Sequence, residues 1–242
     1  MQLIGIWAVV AATLGPIQNV LGWTISGALW PGYDPIAKTI SDLAADDSPV
    51  QWIQSSFFIF GSLLTLIGAW HAKAFSIPGR VALAAAGVAG FGYTFFTTPS
   101  QDSFSDWHRI FATIAFVLFS AWPLFAMRFD KRYHWSIRPV GAITASLVMG
   151  LTTLWFLLTW LEPGQPIVGL SERVIAVMQV LWLSAAIWMQ WLHQQRQTRC
   201  LSREHPFHTS PGPQHRPRAC LRCQPEFLQL DLGFRGRPSL LE

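Results

Sequence analysis

The sequence of 242 residues contains few charged residues, three tyrosines and three cysteines. Aspartate, glutamate, lysine and arginine together make up 12% of the chain, against about 25% in an average soluble domain. The cysteines, Cys200, Cys220 and Cys223, all lie near the C-terminal end, so the preceding residues cannot carry a disulfide framework. This composition excludes a disordered chain, a coiled coil and an ordinary soluble enzyme.

Hydrophobic residues are abundant, at 51% of the chain, and include 13 tryptophans and 17 phenylalanines. A helix needs about 20 apolar residues to cross a bilayer core of about 30 Å. Six stretches reach or approach that length, at residues 3–29, 52–70, 81–98, 107–127, 137–161 and 174–192. The sequence therefore predicts an all-α integral membrane bundle of six transmembrane helices over residues 1–193. Small residues at four-residue steps, Ala82, Ala86 and Gly90, place the third span inside the bundle.

The loops between the spans differ in their charge. Those between spans two and three and between spans four and five contain six basic residues and one acid. The other loops contain three basic residues and eight acids. Because cytoplasmic loops carry the excess of lysine and arginine, both termini are predicted to be cytoplasmic. The acidic loops then lie on the extracytoplasmic side of what we expect to be a prokaryotic inner membrane.

Residues 194–242 form a separate region with six prolines, eight arginines and no tryptophan. The net charge of residues 1–193 is zero, so the whole excess of +4 comes from this region and does not indicate a nucleic-acid partner. Two pairs of residues have the spacing of zinc ligands, but no apolar periodicity surrounds them. They are His205, His208, Cys220 and Cys223. The composition favours a disordered cytoplasmic tail.

The first candidate functional segment is residues 33–43, after span one. Asp34 before a proline has the pattern of a helix start. Apolar residues at helical spacing predict a short amphipathic helix in the extracytoplasmic interface. Its apolar face comprises Ile36, Ile40 and Leu43. The segment is either a surface helix with an ion pair, or a cap in which Ser41 and Asp42 face a cavity.

The second segment is residues 102–109, before span four. On a regular helix Asp106 and His108 point to nearly opposite faces, so they cannot hold one ion together. His108 would need a partner from another segment, such as Asp42 or Glu172. The alternative is an ion pair between an aspartate and Arg109 at a helix start.

The third segment, Ser171, Glu172 and Arg173, opens span six. The helix dipole favours Glu172 there, whereas Arg173 at a membrane edge is expected to have a partner. Within the spans, Gln18, Asn19 and Gln179 lie at the depth just below the three segments, where polar groups face either another helix or a wet cavity.

Together these motifs resemble the prokaryotic six-helix membrane proteins called domain of unknown function 998. The resemblance covers about residues 3–193 and rests chiefly on the Tyr33–Leu43 segment. It implies the six-helix fold and implies that the three motifs form one shared feature. It leaves the activity open.

Three functions remain as alternatives. The first is binding or transport of a lipid headgroup or small polar solute. The candidate ligand-binding residues are Asp34, Ser41, Asp42, Asp106, His108, Arg109, Glu172 and Arg173. The second is a membrane hydrolase with Asp42 and His108 as catalytic candidates, with or without a metal. The third is a structural or assembly protein. Membrane lipid is the expected partner, and no motif for a nucleotide, a haem or another cofactor occurs in the spans.

Overall fold

The computed structural model describes residues 3–100, 103, 105–162, 164 and 166–204, with side chains through residue 199. The described chain is all-α, apart from one isolated antiparallel bridge between Ile4 and Ala72. Its helices are α1 (Ile6–Ala28), α2 (Gln51–His71), α3 (Ile77–Phe95), α4 (Asp106–Ala126), α5 (Pro139–Leu161) and α6 (Val168–Glu204). Two short 3₁₀ helices, Ser41–Ala44 and Trp135–Ile137, lie in the connections.

Local sequence signals fix several helix starts. The Ser76 hydroxyl accepts a hydrogen bond from the backbone N–H of Gly79 at the start of α3, and Ser105 does the same for His108 in α4. Each serine satisfies an N–H group that has no partner within its own helix. Pro139 begins α5, where its fixed φ angle suits the first helical turn.

Five helices, α1, α2, α4, α5 and α6, are long and apolar enough to cross a membrane. Their lipid-type surface is visible as large apolar side chains that remain exposed, including Trp7, Ile17 and Leu151. The predicted all-α membrane class is thus confirmed, and five of the six predicted spans are helices of sufficient length and hydropathy to cross a membrane. Helix α3 has only 19 residues and carries Arg80 near its start, and it is not among the five.

Helix α3 packs between α2 and α4 through its small residues. A Cβ atom at Gly79 would overlap the backbone of Ala126 in α4, and one at Gly90 would overlap the Ser62 hydroxyl of α2. Ala86, between them, is almost fully buried. Small side chains therefore bring three helix backbones close together, which is how helices associate within lipid.

Residues 33–45, which we call the strap, join α1 to α2. The amphipathic α-helix predicted here does not form; turns are followed by the 3₁₀ helix Ser41–Ala44. The Asp34 carboxylate accepts a hydrogen bond from the N–H of Ile36, and side chains such as Asp34 offer the backbone an alternative to helical bonding. Leu43 is fully buried as expected, but Ile36 is 51% exposed.

The two ends of the bundle have different connections. The strap end carries the strap and the connections α3–α4 and α5–α6. The arginine end carries the connections α2–α3 and α4–α5. There, Arg80 donates to the carbonyls of Ala69 and Trp70 at the end of α2, and Arg128 donates to those of Ala74 and Phe75. These bonds satisfy carbonyl groups that a helix end or turn leaves unpaired.

Helix α6 continues past the predicted end of span six, through Glu204. The bundle comprises residues up to Gln195. Within it, the Gln194 side chain accepts a hydrogen bond from the N–H of Ile4, so this part of the predicted tail belongs to the packed helix. Residues 205–242 of the predicted disordered tail, which include the paired histidines and cysteines, lie outside the described residues.

Candidate functional site

Arg173 holds the strap against the start of α6. Its guanidinium donates hydrogen bonds to the backbone carbonyls of Pro35, Lys38 and Gly169 and to the hydroxyl of Tyr33. The Tyr33 hydroxyl in turn donates to the carbonyls of Lys38 and Thr39. Burial raises the pKa of Tyr33, so this hydroxyl keeps its proton and remains a donor. The partner expected for Arg173 is therefore provided by three groups of the strap and by the carbonyl of Gly169.

Glu172, the residue before Arg173, binds the strap at a different residue, Ile40. The side chain is only 5% exposed, and its carboxylate accepts a hydrogen bond from the N–H of Ile40. Gly169 allows this close approach, because a Cβ atom there would overlap the carbonyl oxygen of Lys38. One turn of α6 thus holds the strap through the Glu172 carboxylate, the Arg173 guanidinium and the space left by Gly169.

Thr39 and Asp42 form a reciprocal pair inside the strap. The Asp42 carboxylate accepts from the N–H of Thr39 at 2.7 Å, and the Thr39 hydroxyl accepts from the N–H of Asp42 at 3.0 Å. This is the hydrogen-bond pattern of a capping box at the start of the 3₁₀ helix. Burial raises the pKa of Asp42, although the bonds from Thr39 act in the opposite direction.

His108 connects three elements at the strap end. Its Nδ1 lies 2.8 Å from the carbonyl oxygen of Tyr93 and 3.0 Å from that of Phe96, at the end of α3. A carbonyl only accepts, so Nδ1 must carry the proton. Nε2 lies 3.0 Å from the Ser41 hydroxyl, and in the neutral ring it accepts the hydroxyl proton. His108 is 3% exposed. Its side-chain hydrogen bonds go to Tyr93, Phe96 and Ser41 and not to the predicted partners Asp42 and Glu172.

Five of the predicted ligand-binding residues meet at one space, which we call the end cavity. It has a volume of about 600 Å³. The five are Ser41, Asp42, His108, Arg109 and Glu172. Lys38 from the strap and Glu162 from the α5–α6 connection add further charges to its lining. Charges of both signs therefore line a single cavity at the strap end.

The remaining predicted residues lie elsewhere. Asp34 is exposed and bonds within the strap. Asp106 is exposed at the start of α4, and its neighbour on the same turn, Arg109, points instead over the ring of Trp160 at 5.0 Å from its centroid. Arg173 is occupied by the strap carbonyls. These three, Asp34, Asp106 and Arg173, are not among the residues that line the end cavity.

A second space, the central cavity, runs between α1, α2, α3, α4 and α6 and has a volume of about 130 Å³. Four residues line both cavities: Ser41, Ala112, Phe116 and Glu172. The polar span residues singled out from the sequence, Gln18, Asn19 and Gln179, all line the central cavity. Ser41 and Glu172 thus form part of the wall between a charged space and a largely apolar one.

A family model described as "Protein of unknown function (DUF998)" matches residues 13–189. The chain belongs to the DUF998 family. This match contains the whole strap, helices α2 to α5 and parts of α1 and α6. It includes the lining of the end cavity and all of the central-cavity lining except Ala11 and Ala12. It confirms the resemblance carried by the three motifs. No curated protein and no solved structure matches the sequence.

Within the described part of this DUF998 chain, no group of three or more His, Cys, Asp or Glu side chains is arranged to hold a metal ion. His108 is paired with backbone carbonyls and a hydroxyl, and Asp42 with a threonine.

Sequence reasoning missed several residues of the DUF998 site. Tyr33 was part of a motif but had no assigned role. Its hydroxyl accepts a hydrogen bond from Arg173 and donates to the carbonyl of Thr39 in the strap. Trp160 was not among the candidate residues, and its ring lies beneath Arg109 in the cavity wall. Gln54 on α2 was not among the candidate residues, although it is 2% exposed and lines the central cavity. A buried glutamine in an apolar span is the signal that would have found it.

Proposed function

We propose that this DUF998 protein binds a lipid headgroup or a small polar solute in the end cavity, as a binding or transport protein. The observation that carries the proposal is the meeting of acidic and basic side chains around one cavity of about 600 Å³. That volume falls in the usual range for small-molecule sites, about 300–1,000 Å³. Lys38 and Arg109 suit a phosphate, and Asp42 and Glu162 suit an ammonium group, so a zwitterionic headgroup matches the lining.

The same proposal includes the membrane arrangement. Helix α3 would be the sixth span, since its 19 residues reach about 28 Å and it packs between two helices that meet the criterion for crossing. The arginine end, with Arg80, Arg128, Lys131 and Arg132, would face the cytoplasm of a prokaryotic cell together with both termini. The strap and the end cavity would then open on the extracytoplasmic side, with the strap in the membrane interface.

The test uses glycerophosphocholine, a zwitterionic headgroup without acyl chains, titrated calorimetrically into the purified full-length protein. Arg109→Gln should weaken binding about tenfold, because one charge-assisted hydrogen bond is lost. Arg132→Gln is the matched control, since Arg132 lies at the arginine end and pairs with Asp130. Equal affinity of the unaltered protein and the Arg109→Gln variant, or no measurable binding by the unaltered protein, would refute the proposal.

A hydrolase is a second candidate, and one observation favours it. The Ser41 hydroxyl lies 3.0 Å from Nε2 of His108, whose Nδ1 proton is held by two carbonyls. This is the arrangement in which an imidazole takes the proton of a serine that attacks an acyl carbon. The attack would form an acyl-Ser41 ester and release the leaving alcohol with the proton from His108; water would then hydrolyse the ester. Here Ser41, rather than Asp42, is the partner of His108.

Labelling with a fluorophosphonate separates this candidate from simple binding. In a hydrolase, the Ser41 oxygen should bond to the phosphorus of the reagent, which releases a fluoride ion and leaves the phosphonate on Ser41. His108→Gln should abolish this modification. Ser48→Ala provides a control, because Ser48 is also buried in this region but bonds to the carbonyl of Leu43. Absence of modification at Ser41 in a protein that still binds glycerophosphocholine would leave binding as the function.

A further inference from the structure

The central cavity contains polar atoms that find no hydrogen-bond partner among the described residues. They are Oε1 of Gln18, Oδ1 of Asn19, Oε1 of Gln54 and Oγ of Ser62. All four residues line this cavity, and Gln54 and Ser62 are only 2% and 4% exposed. An unpaired buried acceptor costs about 1–3 kcal/mol. Four such oxygen atoms around one cavity therefore favour the binding of a molecule that carries hydrogen-bond donors.

The surrounding helices leave room for these groups. A Cβ atom at Gly61 would lie 2.8 Å from Nε2 of Gln18, and one at Gly90 would overlap the Ser62 hydroxyl. Glycines on α2 and α3 therefore stand where any larger residue would displace a polar side chain that lines the cavity. The close packing of the α2 and α3 backbones at these glycines therefore leaves room for the side chains of Gln18 and Ser62.

The shape of the central cavity favours a chain over a compact ring. Its lining on α1 extends from Ala11 to Trp23, which is about 18 Å along the helix axis. Its volume of about 130 Å³ spread over that length makes it narrow. Most of the other lining residues are apolar, including Phe57, Leu64 and Phe119.

The charge of the lining further limits which ligands the central cavity can bind. Among the residues that line the central cavity, Glu172 at its strap end is the only Asp, Glu, Lys or Arg. A charged group farther inside would lack a counter-ion in a low-dielectric space, which is strongly unfavourable. The deeper part of the cavity therefore suits an uncharged molecule.

We infer that the central cavity is a binding site for an uncharged lipid chain that carries hydroxyl or amide hydrogen-bond donors. The chain lies along α1 and α2, its methylene groups contact the phenylalanines, and its donors reach the amide oxygens of Gln18 and Gln54 and the hydroxyl of Ser62. The site is separate from the headgroup site and does not require that the end cavity be occupied.

The experiment compares two photoreactive probes on the full-length protein in phosphatidylcholine vesicles. One is a long-chain fatty alcohol with a mid-chain diazirine; the other is the same chain without the hydroxyl group. The alcohol should label peptides 11–23 and 51–68 about fivefold more than the hydrocarbon, the gain expected for one hydrogen bond. Equal labelling by the two probes, or labelling confined to outward residues outside these peptides, such as Trp7 and Leu151, would overturn the inference.

Variants locate the contact. Gln54→Leu should reduce alcohol labelling towards the hydrocarbon level. Gln51→Leu, one turn away in α2 at a residue that bonds to Asp46 and does not line the cavity, should not. The two-probe comparison on unaltered protein needs no variant, so misfolding of Gln54→Leu would not remove the test. Arg109→Gln should leave the labelling unchanged, and a failure of glycerophosphocholine binding alongside intact alcohol labelling would refute only the end-cavity proposal.

Discussion

The two ends of the bundle use the same types of side chain for different purposes. At the arginine end, Arg80 and Arg128 donate to backbone carbonyls at the end of α2 and in the turn after it. At the strap end, Arg173 also donates to carbonyls, but those carbonyls belong to a strap that covers two cavities. Arg109, only one residue from His108, lies in a cavity wall.

The difference shows why a charged side chain near an apolar span is not by itself a sign of a binding site. Arg173 was a candidate ligand contact, and its hydrogen bonds give it the same structural task as Arg128. The distinguishing feature of the strap end is the shared wall of Ser41 and Glu172. The following predictions test whether the two ends differ in compartment, in packing and in electrostatics.

The largest expected effect is all or none, and it concerns the compartment. Single cysteines would be placed at Ser103, at the strap end, and at Lys131, at the arginine end, with the tail cysteines replaced by serine. In whole cells an impermeant maleimide should label Ser103→Cys fully and Lys131→Cys only after permeabilisation. The reverse pattern would put the end cavity in the cytoplasm and contradict the proposed orientation.

The second prediction concerns packing at the strap. Gly169→Ala should destabilise the protein by about 2 kcal/mol, because the new methyl group overlaps the carbonyl of Lys38. Gly150→Ala is the matched control, since nothing lies within 4 Å of a Cβ atom there. That control should be neutral or stabilising by up to about 1 kcal/mol through helix propensity. Thermal unfolding in detergent measures both, and equal melting temperatures would mean that the strap moves without cost.

The third prediction compares two arginines that bind carbonyls. Arg173→Gln should increase tryptic cleavage after Lys38 about tenfold, because the strap loses hydrogen bonds and opens more often. Arg128→Gln removes the bonds to Ala74 and Phe75 at the arginine end and should leave that cleavage rate unchanged. If both variants accelerated it equally, the strap would be coupled to the whole bundle and not held locally.

The smallest effect compares two aspartates by pH. Burial raises the pKa of Asp42, so its contribution to stability is present below its unfolded pKa, about 4, and is lost as pH rises through the higher folded value. The side-chain hydrogen bond from Arg132 lowers the pKa of Asp130, whose contribution is present above about 4 and is lost as pH falls.

Melting temperatures of Asp42→Asn and Asp130→Asn between pH 3.5 and 7, each relative to the unaltered protein, measure these opposite trends. The unaltered protein should lose stability relative to Asp42→Asn as pH rises. It should gain slightly relative to Asp130→Asn over the same range. A common slope for both variants would show that the two sites do not differ electrostatically.

The helices were predictable because they depend on local properties of the sequence. Length and apolar content define five of the spans to within a few residues, and the alanines and glycines of α3 indicate its place inside the bundle. The Thr39–Asp42 spacing already has the pattern of a capping box. These features act over one to four residues, where spacing decides which groups meet.

The site was only partly predictable because its contacts join residues far apart in the chain. Sequence analysis assembled the three motifs and five of the cavity residues, but it gave His108 an acidic partner. The contact with Ser41 depends on how the strap lies over α3 and α4, since the ends of those helices orient the imidazole. The strap itself was predicted as a helix, because the pattern of Ile36, Ile40 and Leu43 carries no information about the competing bonds from Asp34 and Tyr33.

The common wall of the two cavities has a thermodynamic consequence. A ligand that moves Ser41 or Glu172 on entering either space alters the surface presented to the other. Linkage then requires reciprocity: whatever factor a headgroup applies to the affinity for a chain, the chain must apply to the affinity for the headgroup. If a single molecule spanned both cavities, binding of its headgroup in the end cavity would raise the effective concentration of its chain at the central cavity, and the reverse would also hold.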